Sequence, residues 1–214
     1  MKPQKKVQAH VIYRNKEGKR LIGVSTIVGM LSKPNLLVWA NNLGLEGLKM
    51  DAYTDDLASV GTLAHEMVNC HITGRPLDTN EYSKNDIDRA ENAMISFLAW
   101  IKNKKIEPIC SEKQFVSEKY QYGGTPDIYC YLNGEPTLID VKTSKAIYDD
   151  HFIQLAGYKI LLEENDLPVM QSYILRIGRD ETEGFEVRSI TNFEKWESLF
   201  HHLLEVYNLL RRKK

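Results

Sequence analysis

Residues 123–127 read Gly-Gly-Thr-Pro-Asp, and residues 139–143 read Ile-Asp-Val-Lys-Thr. In the second stretch an aspartate and a lysine stand among apolar residues, where charges are costly to bury unless a partner or a metal ion neutralises them. The first stretch places a further aspartate, Asp127, directly after a proline. We therefore expect these two stretches to form the centre of the fold and the active site.

The chain around these stretches alternates apolar and polar residues as β-strands do. Three consecutive strands are predicted at 109–117, 126–132 and 136–141, with breaks at 123–124 and 133–134. Such a succession predicts an antiparallel meander. If the second and third strands pair across the Asn133-Gly134 turn, alternation of side chains brings Asp127 and Asp140 together.

Two close carboxylates repel each other and favour a divalent cation between them. Oxygen ligands with open water positions suit Mg²⁺ or Mn²⁺, and the backbone carbonyl of Val141 is a natural further ligand. Lys142 shares a strand face with Asp140, so it can position an attacking water or help to deprotonate it. A metal ion, its bound water and a nearby lysine are the groups that hydrolysis of a phosphodiester requires. An isolated Asp-x-Lys pattern also fits a surface ion pair on an edge strand.

Helices and further strands are predicted on both sides of this region. Helical spacing of apolar residues indicates helices at 55–73, 83–104, 149–164 and from the cap at Thr191 or Asn192 to about 211. Gly74 ends the first of these, and Pro108 ends the helical region. Strands are expected at 169–178 and 185–190.

The N-terminal part is predicted to contain a hairpin and two short helices. The hairpin strands are expected at 7–12 and 21–23, with a turn at 15–18. Ser25 or Thr26 is expected to cap the first helix, and Pro34 fits the first turn of the second. The element order predicts a single α/β domain over 1–214 with a central mixed sheet flanked by helices. Its parts are a mainly helical elaboration (1–105), the core sheet with one helix (106–190) and a C-terminal helix (191–214).

The composition limits the function classes. The chain has 214 residues and a formal net charge of −1, so it exerts no global electrostatic attraction on nucleic acid. The basic residues Lys2, Lys5 and Lys6 and the stretch 211–214 are interpreted as solvated tails. No membrane span or secretory leader is recognisable, which predicts a cytoplasmic protein. Three widely spaced cysteines predict reduced thiols and neither disulfides nor a zinc site.

The order of the motifs resembles the PD-(D/E)xK nuclease superfamily, in particular its RecB-type and phage-type exonuclease branches. The resemblance covers roughly 65–158 and runs from Pro126-Asp127 through Asp140-Val141-Lys142 to Gln154-x-x-x-Tyr158. It implies a restriction-endonuclease-like core in which Asp127 and Asp140 bind the metal and Lys142 is catalytic. It also implies active-site roles for Gln154 and Tyr158, whose helical spacing places them on one face. An ordinary amphipathic helix is the alternative for that pair.

Two upstream residues extend the resemblance. His65, preceded by Gly61, resembles the glycine-to-histidine motif of RecB-type nucleases, in which the histidine is an additional metal ligand. Glu112 falls where many members carry a strand glutamate near the metal, and an exposed strand carboxylate is the alternative. The sequence after His65 lacks the second histidine of a zinc protease, because Asn69 stands there. Some relatives hold an iron–sulfur cluster with four cysteines, which this chain cannot build because it has three.

The resemblance implies a metal-dependent deoxyribonuclease that uses Mg²⁺ or Mn²⁺. An exonuclease acting on linear DNA ends, in a phage or recombination and repair setting, is the leading hypothesis. A structure- or site-specific endonuclease and a catalytically silent nucleic-acid-binding module are the alternatives. Lys33, Lys145 and Lys159 are candidate DNA contacts. A homo-oligomer also fits, because some phage-type relatives form rings.

Overall fold

A computed structural model describes residues 11–211, which form six helices and nine strands. The helices are α1 (Val24–Val28), α2 (Pro34–Leu45), α3 (Met50–Thr73), α4 (Lys84–Ile101), α5 (Asp149–Glu164) and α6 (Glu194–Arg211). The strands are β1 (Tyr13–Arg14), β2 (Arg20–Gly23), β3 (Ile106–Ser111), β4 (Phe115–Ser117), β5 (Tyr122–Gly124), β6 (Ile128–Leu132), β7 (Glu135–Lys142), β8 (Gln171–Ile177) and β9 (Phe185–Ile190). Within the described range no helix has both the length and the apolar character needed to cross a membrane.

The central sheet has five strands in the order β3-β6-β7-β8-β9. β7 and β8 are parallel and are joined through α5, whereas the other neighbouring strands are antiparallel. The parallel pair requires a long crossover, which the helix supplies. The predicted α/β class, with a central mixed sheet flanked by helices and a largely helical N-terminal part, is confirmed.

Helices cover both faces of the central sheet. One apolar cluster joins α3 and α4 to side chains such as Ile128, Cys130 and Ile139, and a second joins α1, α5 and α6 to side chains such as Tyr129 and Leu138. Successive residues of β6 and β7 therefore point to opposite faces, as the strand period requires. By the same alternation, Asp140 lies on the face of Leu138, towards α5.

A second, smaller sheet has the order β1-β2-β5-β4 and corrects part of the strand prediction. The predicted strand at 109–117 is in fact β3 and β4, which belong to different sheets. The chain turns between them at Glu112, where φ is 51°. Gly123 and Gly124 were expected to break the sheet, but they lie in β5 and pair with β2 and β4. The meander of β3, β6 and β7 is present, with the β4–β5 hairpin inserted into it.

Several element ends also differ from the prediction. The first hairpin strand is β1, later than the expected 7–12, of which residues 7–10 lie outside the described residues. Gly23 occupies the N-cap of α1, so neither Ser25 nor Thr26 caps it. α3 begins at Met50, α4 ends before Lys104, and Pro108 lies within β3. Pro34 does begin α2, and the predicted bounds of α5 and β9 are confirmed.

The three cysteines are free thiols, as predicted, and Cys70 and Cys130 are buried. The tail residues Lys2, Lys5, Lys6 and 212–214 lie outside the described residues.

Candidate active site

The β6–β7 hairpin brings the two central aspartates into adjacent positions. Its turn uses left-handed conformations at Asn133 (φ 53°) and Gly134 (φ 90°), which suit a two-residue hairpin loop. Ile128 pairs with Ile139, so Asp127 lies next to Asp140 at the open end of the ladder. The Val141 N–H donates to Oδ2 of Asp127 at 2.7 Å. The hairpin therefore aims the Asp127 carboxylate at β7.

Asp140 and Lys142 form a buried ion pair on the same face of β7. The Lys142 Nζ lies 2.6 Å from Oδ2 of Asp140, and their side chains are 16% and 1% exposed. Oδ1 of Asp140 is buried and has no hydrogen-bond or ion-pair partner among the described residues. An unpartnered buried carboxylate oxygen is expensive, and a bound cation would satisfy it.

A second group of ligand atoms gathers around Asp127. One ligand atom each from His65, Glu112 and Asp127 lies within 4.8 Å of the others. His65 comes from α3, and its Nδ1 lies 3.6 Å from Oδ1 of Asp127. Glu112 comes from the turn after β3, where its N–H donates to the Asp127 carbonyl at 3.1 Å. Asp140 is not a member of this trio.

The helix that carries His65 approaches the sheet closely at a glycine. A Cβ added at Gly61 would lie 2.8 Å from Oγ1 of Thr143, the residue that follows β7. Only glycine therefore lets this turn of α3 lie against the end of β7. One turn later, the same helix presents His65 to Asp127.

Burial and mutual repulsion shift the acids of this site. Glu112 is exposed as a whole residue, yet desolvation by the surrounding protein, and then the Asp127 charge, raise the pKa of its carboxyl to about 7. Burial also raises the pKa of Asp140 to about 6, although the Lys142 ammonium opposes the shift. Burial raises the pKa of Asp127 too, but His65, Lys142 and the Val141 N–H together outweigh burial, so that pKa falls below its ordinary value. The site holds more carboxylates than its cations neutralise, and this imbalance suits a divalent metal ion.

His65 and Lys142 respond to the same acids. Burial lowers the pKa of His65, but the Asp127 carboxylate outweighs burial and raises it. Burial likewise lowers the pKa of Lys142, and the charges of Asp140 and Asp127 outweigh it and raise that pKa. Both side chains thus lie within the field of the two aspartates.

The pair on α5 lies over the same face of the sheet. The Nε2 of Gln154 donates to the Tyr158 hydroxyl at 2.8 Å. Tyr158 is buried, and a Cβ added at Gly124 would lie 2.9 Å from its ring. Burial, and then the charges of Asp140 and Asp127, raise the pKa of Tyr158 well above its ordinary value. The i, i+4 pair therefore faces the aspartates.

The three candidate DNA contacts have different surroundings. Lys33 pairs with Asp150 at 2.5 Å near the start of α5. Lys159 is engaged by two glutamates, Glu163 at 2.8 Å and Glu197 at 2.7 Å. Lys145 is exposed in the loop after β7. Of the three, Lys145 follows the candidate catalytic strand most directly.

Sequence reasoning assigned no role to two other neighbours of the site. Thr143 limits how closely α3 can approach, and buried His151 lies close enough to Lys142 for that charge to act on its pKa. Thr143 could have been noticed because it directly follows the Asp-Val-Lys run. His151 had only its place three residues before Gln154 as a signal.

Comparison with known proteins finds only distant similarities. No family model and no curated protein matches the chain. Among solved structures, a protein from Eubacterium rectale provisionally named an exonuclease is 14% identical, with a TM-score of 0.47 over 71% of this chain and 66% of that one. LHK-Exo, solved in complex with dAMP, is 11% identical, with a TM-score of 0.38 over 90% of this chain and 92% of that one.

A third structure, of the protein SSO0001, is 17% identical, with a TM-score of 0.37 over 63% of this chain and 69% of that one. At such identities and TM-scores, none of these similarities determines the function of this chain.

Proposed function

We propose that this chain is a metal-dependent deoxyribonuclease that hydrolyses phosphodiester bonds, acting as an exonuclease on linear DNA ends. The observation that carries the proposal is the buried Asp140 carboxylate. One oxygen faces the Lys142 ammonium at 2.6 Å, and the other has no partner among the described residues. The unpartnered oxygen of this carboxylate is available to bind a cation.

The donor set supports a divalent metal ion at this place. Asp127 and Asp140 are the proposed principal ligands, with His65 and Glu112 as additional ones and the Val141 carbonyl as a backbone ligand. Carboxylate and carbonyl oxygens suit Mg²⁺ and Mn²⁺, and the imidazole makes Mn²⁺ the more informative probe. His65, Glu112 and Asp127, whose ligand atoms lie within 4.8 Å of one another, would bind the ion, and Asp140 would join them through its unpartnered Oδ1.

The bound cation would polarise a phosphoryl oxygen and lower the pKa of a water in contact with it. Lys142 is held by Asp140, so its ammonium is placed to donate to a phosphate oxygen and to stabilise developing negative charge. Asp127 is fixed by the Val141 N–H at 2.7 Å. Gln154 orients the Tyr158 hydroxyl by donating to it at 2.8 Å. We assign this pair the role of orienting substrate or water beside the aspartates.

We propose DNA as the substrate, and cleavage from its ends, because of the order of the sequence motifs. A net charge of −1 does not oppose it, because local charge around a cleft governs encounter with a phosphate backbone. The exposed Lys145 lies next to the catalytic strand and is the proposed backbone contact. Lys33 and Lys159 would first have to leave their carboxylate partners.

Nuclease assays on matched DNA substrates test the proposal. The purified full-length chain is incubated with linear and covalently closed circular DNA of one sequence, with Mg²⁺, with Mn²⁺ and with a chelator. We expect degradation of linear DNA only, dependent on the metal and abolished in Lys142→Ala. Cleavage of closed circular DNA would show endonuclease activity and refute the exonuclease proposal. DNA binding without cleavage under every metal condition would refute a nuclease and favour the silent binding module.

A further inference from the structure

The segment that delivers Asp127 lies outside the strand ladders. Residues 125–127 link β5 to β6 without belonging to either strand. The Asp127 carbonyl accepts from the Ser111 hydroxyl at 2.7 Å and from the Glu112 N–H at 3.1 Å. At the other end of the segment, the Thr125 hydroxyl forms a hydrogen bond of 2.9 Å with the Tyr13 hydroxyl. One backbone bond and two side-chain hydrogen bonds therefore hold this segment outside the strand ladders.

The Tyr13 ring is seated across two glycines. Gly23 of β2 pairs directly with Gly123 of β5. A Cβ at Gly123 would lie 2.3 Å from the Tyr13 ring, and one at Gly23 would lie 3.1 Å from it. The ring fits because both positions lack a side chain, and this seat directs its hydroxyl towards Thr125. Burial raises the pKa of Tyr13 above its ordinary value; the hydrogen bond to Thr125 lowers this pKa, but burial and the Glu112 charge outweigh it, so the hydroxyl retains its proton.

The hairpin does not need this hydroxyl for its own attachment. Asn15 donates to the Gln121 side chain at 3.0 Å, and the Lys16 N–H donates to the Glu118 carboxylate at 2.8 Å. These bonds fasten the hairpin turn to the β4–β5 turn. The hydroxyl of Tyr13 instead contacts the segment that leads to Asp127, at the wall of a cavity of about 1110 Å³ that Glu112 also lines.

We propose that Tyr13 is a positioning residue that acts through Thr125. Its hydroxyl holds residues 125–127 so that the Asp127 carboxylate meets both the Val141 N–H and His65. The inference rests on the proposed function to the extent that Asp127 is a metal ligand. The positioning itself is a property of the chain without metal, so it can be tested separately.

The first test reads the geometry of Asp127 in the metal-free, full-length chain. The amide NMR resonance of Val141 reports its short bond to Asp127. We expect Tyr13→Phe and Thr125→Val each to shift this resonance, and the double variant to shift it no further than either single change. Tyr131→Phe, which removes an exposed tyrosine hydroxyl near the turn end of the β6–β7 hairpin, is the matched control and should leave it unchanged. An unshifted resonance in Tyr13→Phe, or additive shifts, would overturn the proposal.

The second test measures Mn²⁺ binding by calorimetry together with DNA cleavage. Loss of a group that orients a metal ligand weakens metal binding by about tenfold. We expect that loss in Tyr13→Phe, with a lower kcat and an unchanged KM for DNA. Equal Mn²⁺ affinity in the variant and the wild type would contradict the inference. A wild-type chain that cleaves no DNA would refute the proposed nuclease and leave the amide measurement to decide the role of Tyr13.

Discussion

The site has two halves that are held in different ways. The hairpin half consists of Asp127, Asp140 and Lys142. Lys142 Nζ lies 2.6 Å from Asp140 Oδ2, and the Val141 N–H donates to Asp127 Oδ2 at 2.7 Å. The helix half consists of His65 and Glu112, and His65 approaches Asp127 only to 3.6 Å. The His65 side chain is also more exposed, at 29% against 1% for Asp140.

The difference follows from sequence distance. The hairpin half depends mainly on one tight turn, because pairing of two neighbouring strands places Asp140 and Lys142 and brings Asp127 beside them. The hydrogen bond between Tyr13 and Thr125 then adjusts the Asp127 segment. The helix half requires α3 and the β3–β4 turn to pack against that hairpin from elsewhere in the chain. We infer that the hairpin half supplies the chemistry and that the helix half adjusts the affinity for metal.

The largest effect is expected from breaking the hairpin half. Asp140→Asn and Lys142→Ala should each lower kcat by about a thousandfold, because each removes charge placed for the transition state. Excess Mn²⁺ should not restore activity. Steady-state cleavage of linear DNA measures the loss, and urea unfolding confirms that the variants fold. Asp88→Asn, at an exposed position of α4, serves as the control. More than a tenth of wild-type activity in Asp140→Asn would refute the assignment.

Breaking the helix half should produce a smaller effect that metal can rescue. His65→Ala and Glu112→Gln should weaken Mn²⁺ binding by at least about tenfold, because loss of a residue that merely orients a ligand already costs about 10- to 100-fold. Unlike the hairpin variants, both should regain most of their activity at high Mn²⁺. Calorimetry and a Mn²⁺ titration of activity separate the two classes. His202→Ala, at an exposed position of α6, is the control. Failure of metal to rescue either variant would remove the distinction between the halves.

The approach of α3 can be weakened without touching a ligand. Gly61→Ala would place a methyl group 2.8 Å from the Thr143 hydroxyl, so the helix must shift and carry His65 with it. We expect a loss of about 2 kcal/mol in the free energy of unfolding and weaker Mn²⁺ binding. Adding Thr143→Ala should reverse most of both losses by removing the obstructing group.

Gly44→Ala is the matched control, because nothing lies within 4 Å of that position in α2. It should stabilise the chain by up to about 1 kcal/mol, since alanine is the better helix former. Urea unfolding of the wild type and of these three variants gives the comparison. If Thr143→Ala leaves the Gly61→Ala loss unchanged, contact with Thr143 is not its cause.

Local patterns predicted the parts of the fold that form locally. The Asn133-Gly134 turn and the alternation after it were sufficient for the β6–β7 register, and helical spacing was sufficient for α5. Gly123 and Gly124 were misread as a break because they lack side chains and belong to a second sheet, in which Gly123 pairs with β2, about a hundred residues earlier in the chain. Their lack of side chains makes room for Tyr13 and Tyr158, which no local pattern reveals.

The same division applies to the site. Convergence of Asp127 and Asp140 followed from strand pairing alone. The left-handed turn at Glu112, which ends β3 and directs this residue towards His65 and Asp127, could not be predicted from a stretch that alternates like one strand. The fit of Gly61 against Thr143 depends on tertiary packing, so sequence spacing could suggest a histidine on α3 but could not measure its approach.

The smallest effect concerns a group that lies over the hairpin half. Burial, and then the Lys142 ammonium, lower the pKa of His151 to about 4 from an ordinary 6.5, while Asp150 raises it and Lys33 lowers it further. The unfolded chain therefore binds this proton more readily than the folded chain. The contribution of His151 to stability is complete above pH 6.5 and is lost as the pH falls towards 4.

Substituting His151→Gln removes the titration and keeps an acceptor for the Tyr148 N–H, which the His151 ring accepts at 3.3 Å. Urea unfolding at a series of pH values measures the difference in free energy between wild type and variant. This difference should change by at least about 1 kcal/mol between neutral and acid pH, because a shift of one pKa unit corresponds to about 1.4 kcal/mol. Asp140 and Glu112 have raised pKa values, so their contributions to stability fall as the pH rises, opposite to that of His151. These contributions are present in both wild type and variant, and they cancel in the difference. A constant difference would show that His151 titrates equally in the folded and unfolded chain, and that the Lys142 charge does not reach it.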